Sequence, residues 1–206
     1  QGDLHEVVQR LLGDCHGAKS AYQGGVALCI RKGELFEVEE AIVRRPNVIS
    51  FQLVTGQAWY YTVGAYIPPS DLETLEQVKV AWQQCPKGCK PILLGDLNIN
   101  LESPRNERDE IITEECDFHD LSDLSRNFKQ RHQPKAQGRW SWRQRRRGQW
   151  ISSQPDYILA RHGDRRYFRN VGLRQPRHLD SDHRAVVGTI YSGSKRNLAN
   201  YRRRRQ

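Results

Sequence analysis

The sequence has no methionine among its 206 residues. With the arginine run at Arg202–Arg205 near its far end, this sets the expectation of a piece of a longer polypeptide. Long apolar runs are missing too. None approaches the ~20 residues that a membrane-spanning helix needs. A mean hydropathy of −0.80 with 28% charged residues argues the same way, so no membrane partner is expected. No signal-peptide pattern opens the sequence. Cysteine is sparse. The five thiols (Cys15, Cys29, Cys85, Cys89 and Cys116) are odd in number and irregular in spacing, which argues against a disulfide framework and for a reducing, intracellular compartment. Cys85 and Cys89 would supply half of a zinc site, but no second Cys/His pair at zinc-finger spacing follows.

What is present in quantity is positive charge. Lys and Arg number 33 against 24 Asp and Glu, for a net charge of +9. That balance fits a polyanionic partner or a solvated basic surface. The length suits one domain, expected over residues 1–191, followed by a basic tail over residues 192–206.

Strand and helix signals alternate along the chain. Asp3–Leu12 reads as a short amphipathic helix, and Val26–Ile30, after Gly24-Gly25, as a strand. Val48–Val54 and Ala58–Ile67 read as strands joined near Gly56-Gln57, with Pro68-Pro69 ending the second. Ser70-Asp71-Leu72-Glu73 has the form of a capping box, with Ser70 as N-cap of a helix through Leu75, Val78 and Trp82. Pro91–Gly95 is apolar throughout, as in a buried strand. Asp109–Glu115 is expected to be helical. Arg139–Trp150 reads as a hairpin turning near Arg147-Gly148. Asp156–Ala160 and Ala185–Tyr191 complete the strands. Strands outnumber helices and the two are mixed, so the class is α/β or α+β with layered packing.

Four segments put polar groups at the ends of these strands: Gly64–Pro68, Leu94–Asn98, Pro155–Leu159 and Ser181–Arg184. Strand ends are where a sheet presents site residues. Asp96 and Asn98 are two apart, so an extended backbone would point them to one face. Carboxylates beside a histidine suit phosphodiester hydrolysis. That reaction needs an activated water, charge neutralisation on the phosphoryl oxygens and help for the leaving oxygen.

These motifs together resemble the endonuclease/exonuclease/phosphatase family, over about Gly24–Ile190. Gly95-Asp96-Leu97-Asn98 resembles its G-D-x-N motif and Ser181-Asp182-His183 its S-D-H motif. Asp156-Tyr157-Ile158-Leu159 looks like the strand between them, and Tyr66 falls at its phosphate-contacting tyrosine. The resemblance implies a DNase I-like four-layer α/β/β/α sandwich and metal-dependent phosphodiester hydrolysis with Mg²⁺, or Mn²⁺ in its place. It implies that Asp96 orients or deprotonates water and also touches the metal, and that Asn98 holds the phosphate. His183, polarised by Asp156, would contact a phosphate oxygen. Asp182 would be a metal ligand, Tyr66 a hydrogen-bond donor to the phosphate, and Ser181 a turn former. The family's first strands carry an Asn and a metal-binding Glu. Nothing before Gly24 resembles them, so the domain is expected to be truncated at its N-terminus.

The arginine-rich hairpin tips the expected substrate toward nucleic acid, and DNA in particular. Arg143, Arg145, Arg146 and Arg147 are candidates for backbone phosphates. Trp140 and Trp142 could stack on bases or anchor the hairpin, with Trp142 expected in the core. The hairpin, the Gly24–Leu28 phrase and the basic tail look like endonuclease domains of non-LTR retrotransposons. That resemblance implies DNA nicking, fusion to a reverse transcriptase and, by analogy, nuclear access. The alternatives are a catalytically inactive nucleic-acid-binding remnant and a phosphatase of small-molecule or lipid phosphates.

Overall fold

A computed structural model of the protein describes residues 26–29, 36–127, 140–174 and 182–191. Their centre is a six-stranded sheet in the order β1-β2-β3-β4-β8-β5. Its strands are β1 (Phe36–Arg45), β2 (Val48–Thr55), β3 (Trp59–Tyr66), β4 (Lys90–Asp96), β5 (Leu121–Asp123) and β8 (Asp156–Arg161). β3 and β4 are parallel, and the other pairs are antiparallel. The parallel step needs a crossover, which helix α1 (Leu72–Gln83) supplies. Helix α2 (Glu107–Phe118) follows β4, and the single turn α3 (Leu124–Asn127) follows β5. A hairpin of β6 (Trp142–Arg146) and β7 (Gln149–Ser153) forms one small sheet, and β9 (Phe168–Arg174) with β10 (Ala185–Ile190) forms another.

The two faces of the sheet follow residue parity, because successive strand side chains alternate sides. Tyr61, Val63, Ala65, Leu93, Tyr157 and Leu159 join Leu75, Val78, Trp82, Ile112 and Cys116 in a core beneath α1 and α2. The even-numbered Tyr60, Ile92, Ile158 and Ala160 face the other way and meet Phe168 and Val171 of β9, with Val186 and Ile190 of β10 alongside. Both faces of β4 are therefore covered, which explains its unbroken apolar run. Helix layer, large sheet and small sheet are three of the four expected layers. No helix covers the outer face of β9 and β10 among the described residues.

Several sequence expectations shift here. The N-cap of α1 is Asp71, not Ser70: its Oδ1 accepts from Thr74 N at 2.9 Å and its Oδ2 from Thr74 Oγ1 at 2.6 Å. A carboxylate that takes both donors displaces the serine one residue earlier. Val26–Cys29 joins no ladder, being tied by Val26 N to Pro46 O at 3.0 Å where β1 turns into β2. α2 extends past the expected Asp109–Glu115 at both ends, starting from Asn106, whose side chain accepts from Asp109 N. β1, β5 and β9 carried no recognised signal. In β1 the cause is charge: Glu37, Glu39, Glu40, Arg44 and Arg45 interrupt the alternation, as suits an edge strand. A bulge at Glu40, at φ +49°, breaks its period as well. The Asp3–Leu12 helix, Gly24-Gly25, Ser181 and the tail from Ser192 lie outside the described residues.

One buried side chain joins α2 to the sheet. Arg108, 7% exposed, donates from Nη1 to Pro69 O (3.0 Å) and Asn98 O (3.2 Å), and from Nη2 to Ile67 O (3.2 Å) and Leu97 O (2.8 Å). These carbonyls belong to the loops leaving β3 and β4. Burial lowers its pKa from the usual arginine value, opposed by Asp109, Asp71 and Asp96. Replacing Arg108 with Met, close in length but without donors, is expected to cost about 2–4 kcal/mol of stability, because the carbonyls lose charged donors. Urea denaturation measures this, and a loss under about 1 kcal/mol would show the clamp to be dispensable.

Candidate active site

The ends of β3, β4 and β8 meet in one row. Tyr66 pairs with Asp96, and Asp96 with Asp156. All three are even-numbered, and paired residues share a face, here the face toward β9 and β10. Gly95 makes this approach possible. Its φ is +137°, and a Cβ there would lie 1.8 Å from Ala65 O. No other residue fits.

Beyond Asp96 the chain does not stay extended. β4 ends at Asp96, and Asn98 is left-handed at φ +50°. Its N–H donates to Asp96 Oδ1 at 3.1 Å, and its Nδ2 to Ile67 O at 3.2 Å. The same-face expectation for Asp96 and Asn98 is corrected accordingly: the short acid captures its neighbour's backbone, a habit of Asp in turns. Asn98 still lies beside Asp96, held between the β3 and β4 loops.

The third part comes from the residues before β10. His183 Nδ1 lies 3.0 Å from Asp156 Oδ2. Ligand atoms of Asp96, Asp156 and His183 all lie within 4.8 Å of one another, the one such acid/His cluster among the described residues. Cys85 and Cys89 contribute to no such cluster, and neither forms a disulfide. Two carboxylates and an imidazole make a donor set that accepts a hard divalent cation. Electrostatics points the same way. Like charges directly opposite one another in a sheet repel, and Asp96 is raised above the usual carboxylate pKa, first by burial and then by Asp156. A cation would relieve both. A cleft of about 470 Å³ opens here, lined by Asp96, Asp156, His183 and Arg184 and floored by Leu94 and Ile158.

The hairpin is sewn to this cluster. Trp142 and His183 form a β-bridge, Arg143 N donates to Asp182 O at 2.9 Å, and Arg184 N donates to Ser141 O at 2.6 Å. Ser141, fully buried, accepts from Asp156 N through Oγ at 3.1 Å. Asp182 stands outside the cluster, its Oδ2 accepting from Trp142 Nε1 at 2.9 Å. That bond also corrects the reading of Trp142 as core: it is half-buried with its indole N–H used, a common state for tryptophan, while Trp140 is the buried one. Arg143 lies over Trp150, at 4.1 Å from its ring centroid. Arg145, Arg146 and Arg147 are exposed around the turn, where Arg147 (φ +48°) and Gly148 (φ +79°) supply the left-handed pair a tight hairpin needs.

Sequence reasoning missed Arg108, Ser141 and the Trp142 contact. Arg108 gave no signal, since a charged residue in a helix reads as solvent-facing. Ser141 sits between two tryptophans in Arg139–Arg143, and alternation could have marked it as inward-facing.

No protein-family model matches this sequence, and no curated protein does. Solved structures do match. The chain has the DNase I-like fold of endonuclease/exonuclease/phosphatase proteins. It is similar to the endonuclease domain of TRAS1, a telomere-specific non-LTR retrotransposon, with a TM-score of 0.55 and 16% identity over 75% of this chain and 68% of that one. An AP endonuclease from Archaeoglobus fulgidus matches at TM-score 0.55 and 13% identity, over 76% and 72% of the two chains. D. rerio TDP2, in a complex with a single-strand DNA product, matches at 0.51 and 16%, over 76% and 68%. The chain thus spans about two thirds of the length of these structures.

The raised Asp96 pKa has a stability consequence. The folded chain holds that proton more tightly than the unfolded chain does, so the penalty grows as pH rises through the interval above the ordinary value of 3.8. Asp96→Asn keeps the Oδ1 acceptor for Asn98 and removes the charge. The variant is expected to melt roughly 2–4 °C above wild type at neutral pH, with the gain shrinking as pH approaches the ordinary carboxylate value. Melting curves at neutral and acid pH check this, and an equal gain at both would refute it.

Proposed function

We propose that the chain carries a Mg²⁺-dependent phosphodiesterase site that nicks DNA, within a longer retrotransposon polypeptide that also holds a reverse transcriptase. The observation that carries this reading is the Asp96–Asp156–His183 cluster at the foot of a basic hairpin. Likeness to the TRAS1 endonuclease domain and to DNA-bound TDP2 supports it.

Asp96 and Asp156 would hold the metal, with Asp182 joining from beside His183, its carboxylate oriented by the Trp142 indole. When bound, the ion neutralises charge on the phosphate and assists the leaving oxygen. Mn²⁺ would serve in its place. Asp96 orients the attacking water and receives its proton. His183 meets a phosphoryl oxygen, its ring set by the Nδ1 contact to Asp156. Tyr66, beside Asp96 on β3, donates to the phosphate. Asn98 steadies the same group from the adjoining loop. Arg143, Arg145, Arg146 and Arg147 meet backbone phosphates along the hairpin. Action on chromosomal DNA would place the protein in the nucleus.

A second reading, a remnant that binds DNA without cutting, has one observation in its favour: no glutamate joins the cluster among the described residues. Supercoiled plasmid with Mg²⁺ separates the two. Open circles that vanish with EDTA and with His183→Ala are expected, the variant losing at least ~100-fold in rate. Retardation of DNA by a folded preparation without nicking supports the remnant. A phosphatase of small or lipid phosphates is separated by changing Arg145, Arg146 and Arg147 to Ser. About a tenfold or greater loss of DNA affinity is expected, and unchanged affinity removes the nucleic-acid reading.

A further inference from the structure

Arg184 closes the Ser181–Arg184 segment and has no role in the site as described so far, yet it follows His183 directly and lines the same cleft as Asp96 and Asp156. Its guanidinium lies 3.5 Å from the centroid of the Trp140 ring. Arg143 lies 5.5 Å from that ring and 4.1 Å from the Trp150 ring. Arginine and tryptophan therefore alternate from the cleft to the hairpin: Arg184, Trp140, Arg143, Trp150. Backbone bonds lock the series in place, through Arg184 N to Ser141 O and Arg143 N to Asp182 O.

These two guanidiniums are held differently from the structural arginine of the fold. Arg108, by contrast, spends both terminal nitrogens on backbone carbonyls. The Arg184 Nε is buried with no hydrogen-bond partner, and among the described residues neither Arg184 nor Arg143 makes an ion pair. An aromatic face holds a guanidinium in place without neutralising it. The planar fork then remains available for two parallel hydrogen bonds to an oxyanion. Two like charges held close together beside the acid/His cluster form a site for an anion with more than one oxygen.

We propose that Arg184 and Arg143, aligned on Trp140 and Trp150, form a subsite for the backbone phosphate next to the one being cleaved. The ligand class is a nucleic-acid strand rather than a lone phosphate ester, because the series leads away from the cluster and toward the exposed hairpin. The assignment rests on the nucleic-acid reading above and adds a specific contact to it.

The test is binding of a short fluorescent DNA duplex to the full 206-residue chain, without metal and in EDTA, by anisotropy over a range of KCl concentrations. Catalysis is then not needed. One lost phosphate contact lowers the slope of log affinity against log salt by about 0.9. R184Q is expected to show that drop with about tenfold weaker binding at low salt. R184K, which keeps the charge but loses the fork, should keep the slope and bind more weakly. R143Q, changed on the hairpin strand instead of beside His183, should lose slope as R184Q does and covers the case in which R184Q fails to fold. Wild-type slope in both R184Q and R143Q, with wild type binding well, overturns the subsite alone. No affinity of wild type for DNA overturns the subsite and the nucleic-acid reading together.

Discussion

The arrangement depends on a buried arginine holding two strand ends together. β3 and β4 are parallel, so their C-terminal ends emerge side by side and both loops leave carbonyl groups pointing inward. A buried carbonyl without a donor is costly, and Arg108 supplies four donors from one planar group. Ile67 O accepts from both Arg108 and Asn98, so the residues beyond Tyr66 and beyond Asp96 share one anchor. Removing the guanidinium would free both loops at once, and the relation of Tyr66 to Asp96 and Asn98 with them.

Upon that frame the chain keeps a local electrostatic conflict. Asp96 and Asp156 stand opposite each other, with Asp96 buried enough to resist ionisation. A sheet selected for stability alone would not set two acids in register there. The neighbouring cations do not resolve the conflict, since Arg184 and Arg143 rest on indole rings rather than on carboxylates. Separated charges of both signs around one cleft suit a ligand that brings both a cation and an anion. A metal-bound phosphodiester has that composition. Perturbed acids in a cleft are found at functional sites for the same reason.

The hairpin has two roles that sequence reading merged into one. Its inner end is structural: Ser141 bonds the start of β8, and Trp142 orients Asp182. Its outer end, Arg145–Arg147, is exposed and left-handed at the turn, so the arginines splay into solvent. The tryptophans between arginines therefore tie a basic loop to the cluster, and a partner held by the loop would lie close to the acids.

Much was legible in the residues themselves. Apolar and aromatic composition between turn residues, with the apolar run before Gly95, located the central strands, because those strands are buried on both faces and composition records burial directly. Gly95, Asp96, Asp156 and His183 could be named as a set because their chemistry is local to short phrases at strand ends. The charged edge strand β1 was not legible, since an edge has no second face to bury and its bulge breaks the period. Nor was the use of Asn98, Arg108, Ser141 or Arg184, each of which depends on a partner far along the chain. Residue type and spacing determined which groups could act. Only the tertiary structure decided which of them meet, because cross-strand register and buried hydrogen bonds are set by the packing of the whole sheet.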